Sequence, residues 1–317
     1  MPFNWIFWLV FNLVVLAMLA LDLGLFHRRK HVVEVPEAVS WTLVWIALAA
    51  GFAALIYFFG HTIAGHARPN SVLTLEFVTG YLIELSLSID NLFVFLLIFR
   101  YFSVPREFQH EVLFWGVLGA LIMRAIFIAA GITLLNRFHW LIYIFGTVLV
   151  YSGVRLLRQR GKAIRPERNP VLRSFRKVFP VTEHYEGGKF FVRRGVVRYA
   201  TPLAVVLLLV ESTDVLFATD SIPAVLAVTR EPFIVYTSNV FAILGLRSLY
   251  FALAGLIERF HFLHYGLSFI LIFIGAKMLA SNYLVVPTQI ALGVVAGVLA
   301  VSAGLSVMFP KRTALST

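Results

Sequence analysis

Nine long apolar runs, separated by polar or basic stretches, constrain this chain more than any other feature. They cover residues 5–26, 40–60, 71–99, 111–135, 140–157, 200–229, 234–257, 265–280 and 287–308. Runs of this kind approach the about 20 apolar residues that an α-helix needs to cross a bilayer. A backbone in hydrocarbon must satisfy its own hydrogen bonds. The expected fold is therefore all-α, a polytopic transmembrane helical bundle of about nine spans. Composition agrees: 60% of the residues are apolar and 14% charged, where a soluble domain carries roughly 25% charged residues. The runs at 71–99 and 200–229 are too long for one perpendicular crossing and are expected to tilt, break or protrude. Residues 1–26 lack a basic start and a small-residue cleavage site, so they read as a retained span rather than a signal peptide.

The basic residues give an orientation. With the N-terminus outside and nine alternating spans, 20 of the 23 Lys and Arg residues in the loops fall on one side, among them Arg28, Arg29, Lys30, Arg100, Arg106, Arg259, Lys311 and Arg312. Only Arg68, Arg137 and Arg230 fall on the other. Basic loops stay cytoplasmic, which predicts a multi-pass protein of the inner (plasma) membrane with a cytoplasmic C-terminus. The net charge of +11 is concentrated in Arg155–Arg198, which holds 13 of the 27 basic residues. That stretch reads as a loop facing anionic lipid. No base-stacking aromatics are interleaved with it as in an RNA-binding module, so no nucleic-acid partner is expected. The absence of cysteine excludes disulfides and thiolate metal ligands.

Beneath the topology lies an internal repeat. SIDNLF around Asp90 corresponds to STDVLF around Asp214. Arg124 follows the first Asp by 34 residues, in a run ending at Gly131, and Arg247 follows the second by 33, in a run ending at Gly255. Then come Arg137-Phe138-His139-Trp140-Leu141 and Arg259-Phe260-His261-Phe262-Leu263, and each copy closes on Ile-Phe-Gly or Phe-Ile-Gly followed by Arg155 or Lys277. Each copy holds three spans, an odd number, so the copies enter the membrane from opposite sides. Such inverted repeats are common in transporters, with the substrate site near the midplane between the halves. The chain divides into two N-terminal helices (1–70), a first three-helix unit (71–157), a basic cytoplasmic loop (158–199), a second unit (200–280), and a last helix with a short tail (281–317).

Charges inside a bilayer are costly and mark function. Glu84 and Asp90 lie inside the third span, and Glu211, Asp214 and Asp220 inside the sixth; Asp22 and Glu76 lie nearer span ends. Glu84, Ser88 and Asn91 share one helical face, with Asp90 one residue off it, and Glu211 and Asp214 share another. Asp220 would point about 120° away from Asp214 on an ideal helix. Pro223 removes the partner of the Thr219 carbonyl, so a break or kink there is expected to swing Asp220 inward and present free carbonyl oxygens. Carboxylates, an amide and hydroxyls make a hard-oxygen set suited to Mn²⁺, Ca²⁺ or Mg²⁺. The nine histidines fall in loops or at span ends and are read as interfacial. Arg124 and Arg247, at one repeat position, are expected to neutralise the acids when no cation is bound.

The segments Glu84-Leu-Ser-Leu-Ser-Ile-Asp90-Asn91-Leu-Phe-Val-Phe and Asp214-Val-Leu-Phe-Ala-Thr-Asp220-Ser-Ile-Pro223-Ala resemble the two signature segments of the TerC family of integral membrane proteins. The similarity runs over nearly the whole chain. It implies a site built from Glu84, Asp90, Asn91, Glu211, Asp214, Asp220 and Ser221, with Thr219 where many members carry an apolar residue. The Alx-like branch of the family implies manganese export and responses to alkaline pH. The expected function is therefore export of a divalent cation, manganese first, in exchange for protons, with Mn²⁺ as transported substrate and no organic cofactor. Asp90, Asp214 and Asp220 are expected to bind one Mn²⁺, aided by Glu84, Glu211 and Asn91. Other readings are a carrier of calcium or of an oxyanion such as tellurite, an accessory protein for metalation or membrane insertion, and an intramembrane aspartyl enzyme. No independent substrate-binding signature supports the last, so an enzyme is not expected.

Overall fold

The computed structural model describes residues 5–27, 35–64, 68–158, 169–195, 197–254, 262–283 and 286–308. The basic residues Arg28–Lys30, Arg259, Lys311 and Arg312, the repeat residues Gly255, Phe260 and His261, and the side chain of Asp22 lie outside the described part.

The apolar runs form helices α1 (Trp5–His27), α2 (Val35–Ala64), α3 (Asn70–Tyr101), α4 (Arg106–Arg137) and α5 (Leu141–Arg158). After the basic region come α7 (Pro202–Leu226), α8 (Pro232–Leu244), α9 (Leu246–Ala254), α10 (Leu263–Leu279) and α11 (Thr288–Met308). Among the described residues, seven helical segments are long and apolar enough to cross a membrane, counting α8 and α9 as one, and two shorter apolar segments, Trp5–Ala20 and Leu263–Leu279, fall at the first and eighth expected positions. The protein is a polytopic helical membrane protein. At 32 residues each, α3 and α4 are about 48 Å long, well beyond a hydrocarbon core of about 30 Å.

The expectation of a break at Pro223 is corrected. The helix does not end or swing at Pro223, because α7 continues through it to Leu226. Proline costs that helix one backbone bond, in a final turn that the Ala227 N–H closes on the Pro223 carbonyl. The interruption falls in the seventh span, at Gly245 between α8 and α9. There the Ser248 hydroxyl donates to the Gly245 carbonyl at 3.0 Å.

The basic region is more than a loop. Asn169 caps α6 (Pro170–Val178), its side-chain oxygen accepting from the amides of Val171 and Leu172. A hairpin follows, β1 (Phe191–Arg194) paired antiparallel with β2 (Val197–Ala200). Gly195, at φ 63°, supplies the left-handed turn residue. The Asn169 amide donates to Ser212 of α7 at 2.8 Å, and Tyr185 donates to the Phe102 carbonyl at 2.8 Å, so this layer is tied to the body of α7 and to the C-terminal end of α3.

Lipid tails are as apolar as leucine, so helices in a bilayer associate through close packing and small residues. The seam between α5 and α10 shows this. A β-carbon on Gly275 would stand 2.7 Å from the Gly146 carbonyl oxygen, and one on Gly146 would stand 3.0 Å from that of Gly275. These are the two glycines that close the repeat units. α3 packs on α8 as α7 packs on α4, α3 packs on α7, and α5 packs on α10. Exchanging α3–α4–α5 with α7–α8/α9–α10 carries this set of pairs into itself. Gly275→Leu is expected to wedge the seam open and lower stability by about 1–3 kcal/mol; a detergent melting curve matching wild type would contradict the close approach. Outside the repeats, α1 and α2 join α3 and α8 through aromatic contacts, including Phe52 tilted against Phe77 at 5.3 Å and Trp8 stacked on Tyr236 at 5.3 Å.

Candidate functional site

The polar groups predicted from sequence separate into two sets, divided by helical phase. On α3, Glu84, Ser88 and Asn91 form one stripe facing α4 and α7, and all three are buried. Arg124 of α4, 1% exposed, enters between the helices. One of its terminal nitrogens (Nη1) donates to Glu84 and, at 3.0 Å, to the Asn239 side-chain oxygen of α8. The other (Nη2) stands 3.6 Å from the Asp214 carboxylate of α7. Asn91 donates to that carboxylate at 3.4 Å, and Ser88 donates weakly to Glu84 at 3.5 Å. Asn239 is itself held by the Val235 carbonyl at 3.0 Å.

Four oxygens of this buried set, Glu84 Oε2, Asn91 Oδ1, Asp214 Oδ2 and Ser221 Oγ, make no hydrogen bond of full geometry, although Ser221 stands close enough to Glu84 to interact with it. A buried polar atom without a partner costs about 1–3 kcal/mol, and native folds rarely concentrate several of them. All four are hard oxygen donors. Two carboxylates against one guanidinium leave one net negative charge on the set. Glu211 lies one turn before Asp214 on α7 and packs against Gly119 of α4, where a β-carbon would collide with its carboxylate. Arg247 of α9 lines one small cavity with Asp214.

The structure does not gather the three aspartates. Asp90 points to α10, its Oδ2 3.8 Å from His264 Nδ1. Asp220 accepts from Ser152 of α5 at 2.7 Å. Because α7 runs on without a swing at Pro223, Asp220 keeps the turned-away direction that helical geometry gives it. Thr219 is exposed and donates to the Leu216 carbonyl at 2.6 Å, away from the buried set. Among the described residues, no three His, Asp or Glu side chains converge closely enough to hold a metal ion. The spatial correspondence differs from the one read at Asp90 and Asp214. Asp90 meets α10 as Asp220 meets α5, and Glu84 and Asp214 share Arg124. That register also equates the two six-residue spacings, Glu84 to Asp90 and Asp214 to Asp220.

Sequence reasoning missed Asn239, Ser152 and His264. Thr237-Ser238-Asn239 inside an apolar span was a visible signal; Ser152 and His264 had none beyond polarity. Glu76 belongs to neither set. It pairs with Arg68 at 2.6 Å and accepts from Thr229 at 2.6 Å, joining the start of α3 to the segment after α7. Beside it, at the start of α8, burial pushes the Glu231 carboxyl above its ordinary value, and Arg68 partly offsets this.

Comparison with known proteins places this geometry. The Integral membrane protein TerC family matches residues 70–314, beginning where α3 begins. The Uncharacterized membrane protein STKORF319 of Myxococcus xanthus is 50% identical over 296 residues, covering 93% of this chain and 90% of that protein. The Escherichia coli K12 protein Alx, named as a candidate membrane-bound redox modulator, is 47% identical over 293 residues, 92% of this chain and 91% of its own. A membrane protein of Rickettsia felis is 42% identical over 285 residues, 90% and 92% of the two chains. No solved structure matches. With a family match over most of the chain and relatives aligned nearly end to end, this protein belongs to the TerC family of integral membrane proteins.

Proposed function

We propose that the chain is a membrane transporter for a hard divalent cation, with manganese as its preferred cargo, exported in exchange for protons. One observation carries the reading: four buried oxygens on α3 and α7 lack a full hydrogen bond, beside an arginine already engaged by two carboxylates. Arg124 holds the position of an internal counter-ion. A dication entering among Glu84, Asn91, Asp214 and Ser221 would satisfy these oxygens and displace the guanidinium. Loss of water favours the protonated form of a carboxylate, so protons are the natural counter-traffic. Manganese and the outward direction rest on the resemblance to the Alx-like branch. An oxyanion reading is weakened because Arg124 is already committed to acids. Asp90, Asp214 and Asp220 engage His264, Asn91 and Ser152 rather than one another, which weighs against an aspartyl enzyme. The relatives' name points to redox modulation, yet the 317 residues contain no cysteine, so this chain has no thiol couple of its own.

Uptake of radioactive Mn²⁺ into proteoliposomes, with and without an imposed pH gradient, tests the function. Accumulation accelerated by the gradient is expected, and a flux equal to that of empty liposomes would refute the proposal. Orientation is tested separately, in the inner membrane. Single cysteines at Tyr283, 93% exposed after α10, and at Lys177 of α6 should label from the outside and the cytoplasm respectively. Labelling of both from one face would overturn the topology.

A further inference from the structure

We propose that Asp90 and His264 form a second cation station, with mixed nitrogen and oxygen ligands, that takes transition-metal dications in preference to Ca²⁺ and Mg²⁺. The proposal rests on the transport reading and deepens it, because it places an imidazole on the ion's path beside the buried oxygen set.

The orientation of the ring carries the argument. His264 Nε2 lies 2.7 Å from the Leu156 carbonyl oxygen of α5. A carbonyl only accepts, so Nε2 carries the hydrogen. The neutral ring then has its lone pair on Nδ1, and Nδ1 is the atom facing Asp90 Oδ2 at 3.8 Å. A backbone carbonyl that fixes one ring nitrogen as donor and leaves the other as ligand is the usual support of a metal-binding histidine. The 3.8 Å separation is too long for a hydrogen bond. It suits two donors sharing one ion, since ligands about 2.1–2.3 Å from a metal stand roughly 3–4 Å from each other.

The pair is also placed for transfer. Asp90 precedes Asn91, so consecutive residues of α3 serve the two sets, about 100° apart around the helix. The Asp90 and His264 side chains are 24% and 33% exposed, whereas Glu84 and Asn91 are fully buried. An ion at Asp90 and His264 is therefore less enclosed by protein than one at the oxygen set, where it would shed more of its waters. Imidazole suits transition metals better than the alkaline earths, which prefer all-oxygen ligands. The more exposed station would thus filter cargo before dehydration.

The test uses Mn²⁺ as the probe on full-length protein without a polyhistidine tag, reconstituted in lipid nanodiscs. Electron spin-echo spectroscopy reads nitrogen coupled to the bound ion. Wild type should show a histidine ¹⁴N coupling that excess Ca²⁺ does not displace. His264→Gln, whose amide can still donate to Leu156, should lose that coupling and weaken Mn²⁺ binding at the station by at least about tenfold. Asp214→Asn should retain the coupling. Bound Mn²⁺ without histidine coupling in wild type, or coupling that persists in His264→Gln, would overturn the station and leave the buried oxygen site standing. Absence of any Mn²⁺ binding would overturn both. Should His264→Gln fail to fold, loss of the coupling in Asp90→Asn supports the proposal, and its persistence there overturns it.

Discussion

Arg124→Gln is expected to lower the stability of the protein, measured without added metal, by about 3–5 kcal/mol, the usual cost of stripping one partner from a buried ion pair. The guanidinium is buried and neutralises Glu84 while standing 3.6 Å from Asp214. Glutamine leaves two carboxylates facing each other with no cation. The same substitution removes the competitor for an incoming metal, so added Mn²⁺ should restore more stability to the variant than it gives to wild type. At a concentration about a hundredfold above Kd, binding is worth about 2.7 kcal/mol. Pairing Arg124→Gln with Glu84→Gln should recover part of the loss, because the unpaired charge is gone; non-additivity of the two is the signature of direct contact. Thermal melting in detergent, with and without Mn²⁺, reads all three effects. A variant as stable as wild type would remove Arg124 from its neutralising role, and a destabilised variant that Mn²⁺ does not help would remove the oxygens from a cation site.

The second large effect falls on transport. Asp214→Asn preserves the shape of the side chain and leaves Asn91 a polar neighbour at 3.4 Å. It removes the one net negative charge of the set, since Glu84 alone then balances Arg124. A dication entering that environment gains no net attraction, and ligand charge is a main determinant of affinity at oxygen sites. The Mn²⁺ flux into proteoliposomes should fall by on the order of a hundredfold, about 2.8 kcal/mol in binding terms. Protein level and melting temperature in the membrane should stay near wild type. Unaltered flux at matched protein level would exclude Asp214 from the path. An equal loss of folded protein would make the carboxylate a structural partner of Asn91 and Arg124.

Much of the architecture was legible in the chain because hydropathy and helical period act locally. A run of apolar residues long enough to cross a bilayer has one structural solution, so each expected span corresponds to an apolar helical segment, including the two shorter ones. The intramembrane acids and Arg124 stood out for the same reason: a charge among apolar residues has to find a partner, and Arg124 found Glu84. The phase of α3 was also readable, since Glu84, Ser88 and Asn91 share a face by spacing alone.

What stands opposite each face was not readable. Spacing gives an angle around one helix and says nothing about which helix arrives there. Only packing decided that Asp90 meets His264 and Asp220 meets Ser152, so that three aspartates that sequence grouped as one site have separate partners. The effect of Pro223 also depended on position: a missing N–H near the last turn leaves the helix intact, while the interruption appears at Gly245 against α2. The folded layer between α5 and α7 was hidden because a nine-residue amphipathic helix and a hairpin of two four-residue strands gain little stability by themselves. They form through long-range ties to α7 and to the end of α3. Sequence thus determined the medium, the helices and the charges within them. Tertiary structure decided which charges share a site, because that depends on contacts between residues far apart in the chain, such as Glu84 with Arg124 and Asn91 with Asp214.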